Sequence, residues 1–173
     1  MRFQHIDAAF EVCRQHKSEA QTAGLDSFQL KEIEHYLLRS LILLIVSQYE
    51  GYIERLFIKR AEKVGDSEIR NLMVEITDKR FRSPDLGKIN QMLTMLSKGC
   101  CDTFRGQIEV KQPQVKAAWD SLITARHAIV HGANAGAVGL TWTDLESAYA
   151  NSARVLQALA NSLGLSKKDL NQL

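Results

Sequence analysis

Apolar residues recur at three- and four-residue spacing along one segment after another, the period of a helix face turned toward a core. Phe3, Ile6, Phe10, Cys13 and Ala20 share a stripe of a helix from Met1 to Ala23, with Gly24 as its stop. Asp26 or Ser27 then caps the longest periodic stretch, Phe28 to Val64. Its inward positions are Leu30, Ile33, Leu37, Leu41, Leu44, Val46, Tyr49, Ile53, Leu56, Phe57 and Ala61, and Gly51 is a point where it can bend. Leu41 to Val46 is apolar all round, which predicts a central helix enclosed on most sides. Gly65 ends it. Ile69, Leu72, Met73 and Ile76 give a short helix to about Asp78, and KRFRSPD breaks the pattern. Leu86, Ile89, Met92, Leu93 and Leu96 form the inner face of a helix over Asp85 to Ser97, while Gly99 to Val110 reads as a loop or a weak helical turn. Pro113 suits the first turn of a helix running to His131, with Gly132 as its stop. After the small-residue run GANAGAVG, Thr141 or Thr143 caps a last long helix whose inner face is Leu145, Ala148, Tyr149, Ala153, Val155, Leu156 and Leu159.

This pattern predicts an all-α antiparallel bundle around a long central helix, as a single domain over 1–173 in which 164–173 is a polar C-terminal tail or final turn. Only two prolines among 173 residues agrees with long helices. A hydrophobic share of 45% and a charged share of 24% exclude the disordered and low-complexity classes. The net charge of +2 does not announce a nucleic-acid binder, although a local basic patch can sit inside a balanced total. Three cysteines, two of them adjacent (Cys100 and Cys101), form neither a disulfide framework nor a CxxC metal ribbon, so the expectation is a reduced, cytoplasmic setting. The greasiest stretch, Leu37 to Val46, is about half of a membrane span, and the N-terminus has no secretory signal pattern, so no membrane partner is expected.

Chemistry concentrates in WDSLITARHAIVHG, Trp119 to Gly132. On a helical wheel Arg126 falls in the middle of the apolar stripe made by Val115, Trp119, Leu122 and Ile129. A buried unpaired charge is very costly, so this arginine needs a partner. It can snorkel, or it can pair with a core glutamate such as Glu50 or Glu54. His127 and His131 lie one turn apart at the helix end, where a histidine can simply complement the helix dipole. Their spacing also suits two ligands of one metal. Ala128 stands where an HExxH motif has its glutamate, and only a fold accident would bring His16 or His35 as a third ligand. Two basic clusters, Lys79-Arg80 with Arg82 and Lys59-Arg60 with Lys63, either steer RNA phosphate or are ordinary solvated surface. Trp119 and Trp142 read as core residues.

Arg126 and His131, separated by a four-residue spacer and followed by Gly132, resemble the R-x(4-6)-H motif of the HEPN superfamily, in which a polar residue such as His127 commonly follows the arginine. Upstream, LLRSLILLIVSQYEGYIERLFIKRAEK resembles the long helix of the prokaryotic HEPN branch linked to RiboL-PSP and MAE-type proteins, where an aromatic and a glutamate occur as Tyr49-Glu50 do here. The resemblance spans about Glu32 to Gly132, and the final helix is compatible with it. It implies a metal-independent endoribonuclease without cofactor, of a kind that serves as a toxin or antiviral defence effector. Such an enzyme cleaves RNA by 2′-hydroxyl attack and leaves 2′,3′-cyclic phosphate ends. In that reading Arg126 clamps phosphate, His131 is the general acid or base, His127 supports His131 or the substrate, and Glu50 orients Arg126. The resemblance further implies a homodimer with two such motifs facing one another at the interface, and it raises an antitoxin or other regulatory protein as a partner. The alternative class is a non-catalytic helical module that binds RNA or protein through the same cleft. HEPN proteins paired with a nucleotidyltransferase carry a tyrosine two residues after the histidine. Ala133 stands there in this chain, which argues against that pairing.

Overall fold

The structure is a computed structural model that describes residues 3–80, 83–132 and 139–173, without the side chains of 78–80. Helix α1 (Gln4–Thr22) leads through Gly24 into α2 (Ser27–Val64), a continuous helix of 38 residues. The length of α2 has local causes. Asp26 accepts the N–H groups of Phe28 and Gln29, and the Gln29 side chain returns to the Asp26 N–H, a reciprocal cap. No proline interrupts it, and α2 runs unbroken through Gly51 to Gly65, whose φ of 79° is the left-handed conformation that ends a helix most cheaply in glycine.

Helices α3 (Ser67–Arg80), α4 (Leu86–Leu96) and α5 (Lys98–Arg105) follow, then a π-helical turn over Gly106–Val110. Helix α6 (Pro113–Val130) and helix α7 (Trp142–Ser162) pack closely together, and α8 (Lys167–Leu170) is a final turn. Helix α2 is the hub, touching α1, α3, α6 and α7. Contacts of His5 with Gln48 and of Lys17 with Glu34 show that α1 runs antiparallel to α2. One hydrophobic cluster extends through α1 to α7, with Ile45, Tyr49, Ile53, Phe57, Trp119 and Leu156 at its centre. Each fully buried aliphatic side chain in it contributes about 1.5–3 kcal/mol through removal from water.

Several expectations change in detail. The run Leu41 to Val46 is enclosed on most sides, as expected, but Leu43 is exposed and Leu44 half-buried, so α2 keeps one open side even at its centre. Leu30, Ile33 and Leu37 are only partly covered, and Leu38, Ile42 and Ile45 are the buried set there. Among the described side chains of α3 only Met73 and Thr77 are buried, while Ile69 and Leu72 face solvent. Residues Gly99 to Val110 form no loop: Cys101, Phe104 and Ile108 turn inward and carry helical structure through the stretch. Of the two readings of the last ten residues, the final turn is the one found. Leu165 is buried, and Ser166 and Asp169 cap α8 reciprocally. Among the described residues no helix is long and apolar enough to cross a membrane.

Candidate active site

Helix α6 presents its apolar stripe to the core through Val115, Trp119, Leu122, Ile123, Ala125 and Ile129. Trp119 is fully buried. Its ring stacks on Tyr49 of α2 at 5.3 Å and 4°, and its indole N–H donates to the Pro84 carbonyl at 2.9 Å. Tyr49 itself exchanges a hydrogen bond of 2.9 Å with the Ser152 hydroxyl of α7. Burial pushes the Tyr49 phenol well above its ordinary range, with the Ser152 bond opposing, so this hydroxyl keeps its proton at neutral pH. Together these contacts lock α6 against α2 and α7 in a fixed register.

That register brings Arg126 next to Glu50. The Arg126 Nη2 lies 3.5 Å from Glu50 Oε1, with the two side chains 22% and 23% exposed. Of the two intrachain partners the sequence offered, Glu50 is the one that Arg126 meets. Its place on an apolar stripe therefore needs no second subunit to account for it. The pair is an electrostatic contact, because 3.5 Å exceeds the usual length of a charged hydrogen bond. Among the described residues, no hydrogen bond reaches the Arg126 guanidinium. Glu50 Oε1 is already bonded elsewhere: the main-chain N–H of Ser83 donates to it at 2.6 Å.

Helix α6 ends one turn beyond Arg126. His131 caps it, donating its N–H to the His127 carbonyl at 3.0 Å, and Gly132 turns the chain away with a φ of 73°. The His127 and His131 rings lie nearly parallel, 6.0 Å between centroids, and both residues are exposed. The structure thus sets the four candidates in two pairs, Arg126 with Glu50 and His127 with His131, at the C-terminal end of α6. No ion pair or hydrogen bond links one pair to the other among the described residues. Nor does any group of three or more His, Cys, Asp or Glu side chains that could hold a metal ion occur there or elsewhere among them.

The two basic clusters lie in different parts of the fold. The side chains of Lys79 and Arg80, and Arg82 altogether, lie outside the described residues. The second is committed to structure at two of its three positions. Lys63 donates to the Gly164 carbonyl and to Asp169, and Lys59 to Gln172. A cavity of about 340 Å³ opens between α1 and α7, lined by Asp7, Phe10, Arg14, Glu146 and Tyr149, and it contains none of the four candidates. Its one arginine spends donors on Glu11 and Glu146. Trp142 is half-buried, edge-on to Phe10 at 6.0 Å, and the three cysteines are free.

Ser83 enters this region without having been singled out in the sequence. It is buried, adopts a φ of 60°, and its hydroxyl lacks a hydrogen-bond partner among the described residues. The available signal was the Ser-Pro-Asp triplet within KRFRSPD, which reads as a turn but not as a turn aimed at Glu50.

No curated protein and no solved structure matches the chain. A family model described as RiboL-PSP-HEPN matches residues 14–164, a span that includes Glu50, Ser83, Arg126, His127 and His131 and reaches past the end of α7. The chain belongs to the RiboL-PSP-HEPN family of the HEPN superfamily.

Proposed function

We propose that the protein is a metal-independent endoribonuclease acting through Arg126 and His131, and that it works as a homodimer. The carrying observation is Arg126: a sheltered guanidinium, compensated in charge by Glu50 at 3.5 Å yet not hydrogen-bonded to it, five residues before the exposed His131. A planar cation with unspent N–H donors matches two phosphate oxygens. Histidine is the side chain suited to proton transfer near neutral pH.

The chemistry needs no added reactant. The 2′-oxygen of the substrate attacks the adjacent phosphorus as a base takes its proton. The bond from phosphorus to the 5′-oxygen then breaks as an acid protonates that oxygen. The products are a 2′,3′-cyclic phosphate and a 5′-hydroxyl. Arg126 stabilises the charge that builds on the non-bridging oxygens. Base and acid act at opposite ends of the reacting group. Each chain offers one His131, so two chains facing across a shared cleft would divide the roles, and His127 would orient its neighbour. This is the reason to favour a homodimer. A toxin or antiviral role, restrained by an antitoxin or another regulatory protein, is consistent with such an activity.

The test is cleavage of a mixed RNA substrate by the wild type and by His131→Ala, both in EDTA, with the product ends identified. A loss on the order of a hundredfold or more in the variant, with cyclic-phosphate ends from the wild type, is the expected outcome. Equal cleavage by both proteins would remove His131 from the mechanism. RNA binding without cleavage by either would favour the non-catalytic module instead.

A further inference from the structure

Glu50 Oε1 faces two donors at unequal distance, the Ser83 main-chain N–H at 2.6 Å and the Arg126 Nη2 at 3.5 Å. An arginine and a carboxylate free to approach one another close to a short, often bidentate pair. Here they stop short of it, and the carboxylate is bonded to the chain between α3 and α4.

Residues 83–85 are fixed at several points. The Pro84 carbonyl accepts the Trp119 indole N–H at 2.9 Å, which ties it to α6. The Ser83 carbonyl accepts the Lys88 ammonium at 3.0 Å and the Asp85 N–H at 2.9 Å. Asp85 in turn caps α4 through the Lys88 N–H at 2.8 Å. Ser83 bears the cost of this arrangement. It holds a left-handed backbone conformation without being glycine, and it buries a hydroxyl that has no partner among the described residues. Unfavourable features of this kind persist where the surroundings over-determine the backbone, and they cluster at functional sites.

We infer that Ser83 is a positioning residue whose main-chain N–H holds Glu50 short of Arg126, leaving the guanidinium donors for an RNA phosphate. Glu50 still supplies the negative charge that makes a sheltered arginine tolerable. The inference rests on the reading of Arg126 as a phosphate clamp and adds how the clamp is kept open. Loosening the strap lets Glu50 close on Arg126 and compete with phosphate. Once Glu50 loses its charge, the strap has nothing to restrain.

The probe is a single-stranded RNA oligonucleotide with every 2′-hydroxyl methylated, so that binding is read without cleavage. Pro84→Gly frees the strap, and Glu50→Gln keeps an oxygen for the Ser83 N–H while removing the charge. Pro84→Gly is expected to weaken binding about fivefold in the wild-type background and to have no such effect in Glu50→Gln. Lys88→Gln, which leaves the core untouched, reports the same coupling if Pro84→Gly does not fold, since its lost surface charge cancels between the two backgrounds. Equal weakening in both backgrounds would overturn the inference, as would no weakening by strap variants when Arg126→Ala does weaken binding. If Arg126→Ala binds the oligonucleotide as the wild type does, the clamp reading falls first, and that result is distinct from either failure of the strap.

Discussion

Two inter-helix pairs of opposite charge in this molecule are built in contrasting ways. At the C-terminal corner the Lys63 ammonium, 41% exposed, donates to Asp169 at 2.9 Å and to the Gly164 carbonyl at 3.0 Å. Asp169 also accepts the Ser166 N–H and hydroxyl, each at 2.7 Å. Beside α6 the Arg126 side chain is more sheltered, 22% exposed, yet its one ionic partner stands 3.5 Å away and no hydrogen bond reaches it among the described residues. Burial usually makes satisfaction more pressing, because an unmet polar group costs more away from water. Here the sheltered cation is the less satisfied of the two. The Lys63 corner is saturated, as an anchoring contact should be. Arg126 keeps capacity in hand, which suits a group that waits for an anionic ligand.

The sharpest way to break this comparison is to remove each cation in turn. Arg126→Ala is expected to lower RNA cleavage on the order of a hundredfold or more, the scale seen when a group that stabilises transition-state charge is removed. Its melting temperature should change little, because Glu50 retains the Ser83 N–H. Lys63→Ala is expected to do the reverse, with cleavage unchanged and the melting temperature lower by a few degrees. The measurements are single-turnover cleavage and thermal unfolding on both variants. A loss of cleavage in Lys63→Ala as large as in Arg126→Ala would erase the distinction.

The sequence foreshadowed the two regions unequally. Helix ends were legible because their causes are local: Asp26, Gly65, Thr141 and Gly132 act through neighbouring backbone groups. The buried face of α7 was legible because its period is clean, and every residue expected to face inward is buried. Inside α2 the reading slipped to Leu30, Ile33 and Leu37, since a run so rich in leucine and isoleucine offers more than one stripe and tertiary contacts choose between them. Residues Gly99 to Val110 stayed open between loop and helical turn because their glycines weaken a helical signal that packing by Phe104 and Ile108 restores. For the candidate site, the resemblance to the R-x(4-6)-H motif named Arg126 and His131, and the need for a countercharge offered Glu50 or Glu54, between which only the structure chooses. Ser83 acts through a main-chain N–H across 33 residues of chain, and a main-chain group leaves no trace in residue type. Likewise the sequence left Lys59, Arg60 and Lys63 open between RNA steering and ordinary solvated surface, because a sequence shows charges and not the acceptors that Gly164, Asp169 and Gln172 supply to Lys59 and Lys63.

A smaller effect sharpens the comparison from the core side. Trp119→Phe keeps an aromatic ring for the stack on Tyr49 but removes the N–H donated to the Pro84 carbonyl. Leaving a buried carbonyl unpaired costs about 1–3 kcal/mol. The expected result is a lower denaturation midpoint with an unchanged denaturant slope. A midpoint equal to the wild type would mean that the Pro84 carbonyl finds another partner, and that the strap is not held to α6 by this bond.

The smallest effect concerns the saturated corner alone and turns on sign. The Ser166 N–H, then the Ser166 hydroxyl and Lys63, hold the Asp169 carboxyl well below the ordinary carboxylate range. A carboxyl whose pKa is depressed by folding contributes stability that is fully present above its unfolded value, near 3.9 for an aspartate, and that is lost as pH falls through the folded value. Asp169→Asn should therefore melt below the wild type at neutral pH, and the gap should narrow as the solution is acidified below about pH 4. Melting curves of both proteins from pH 7 to pH 2 measure it. A gap that stays constant over this range would assign the corner's stability to the buried Leu165 and the Ser166 cap rather than to an ionised Asp169. The saturated pair would then be a consequence of how the chain ends, and unspent donors at Arg126 would have to stand as a site marker without that contrast.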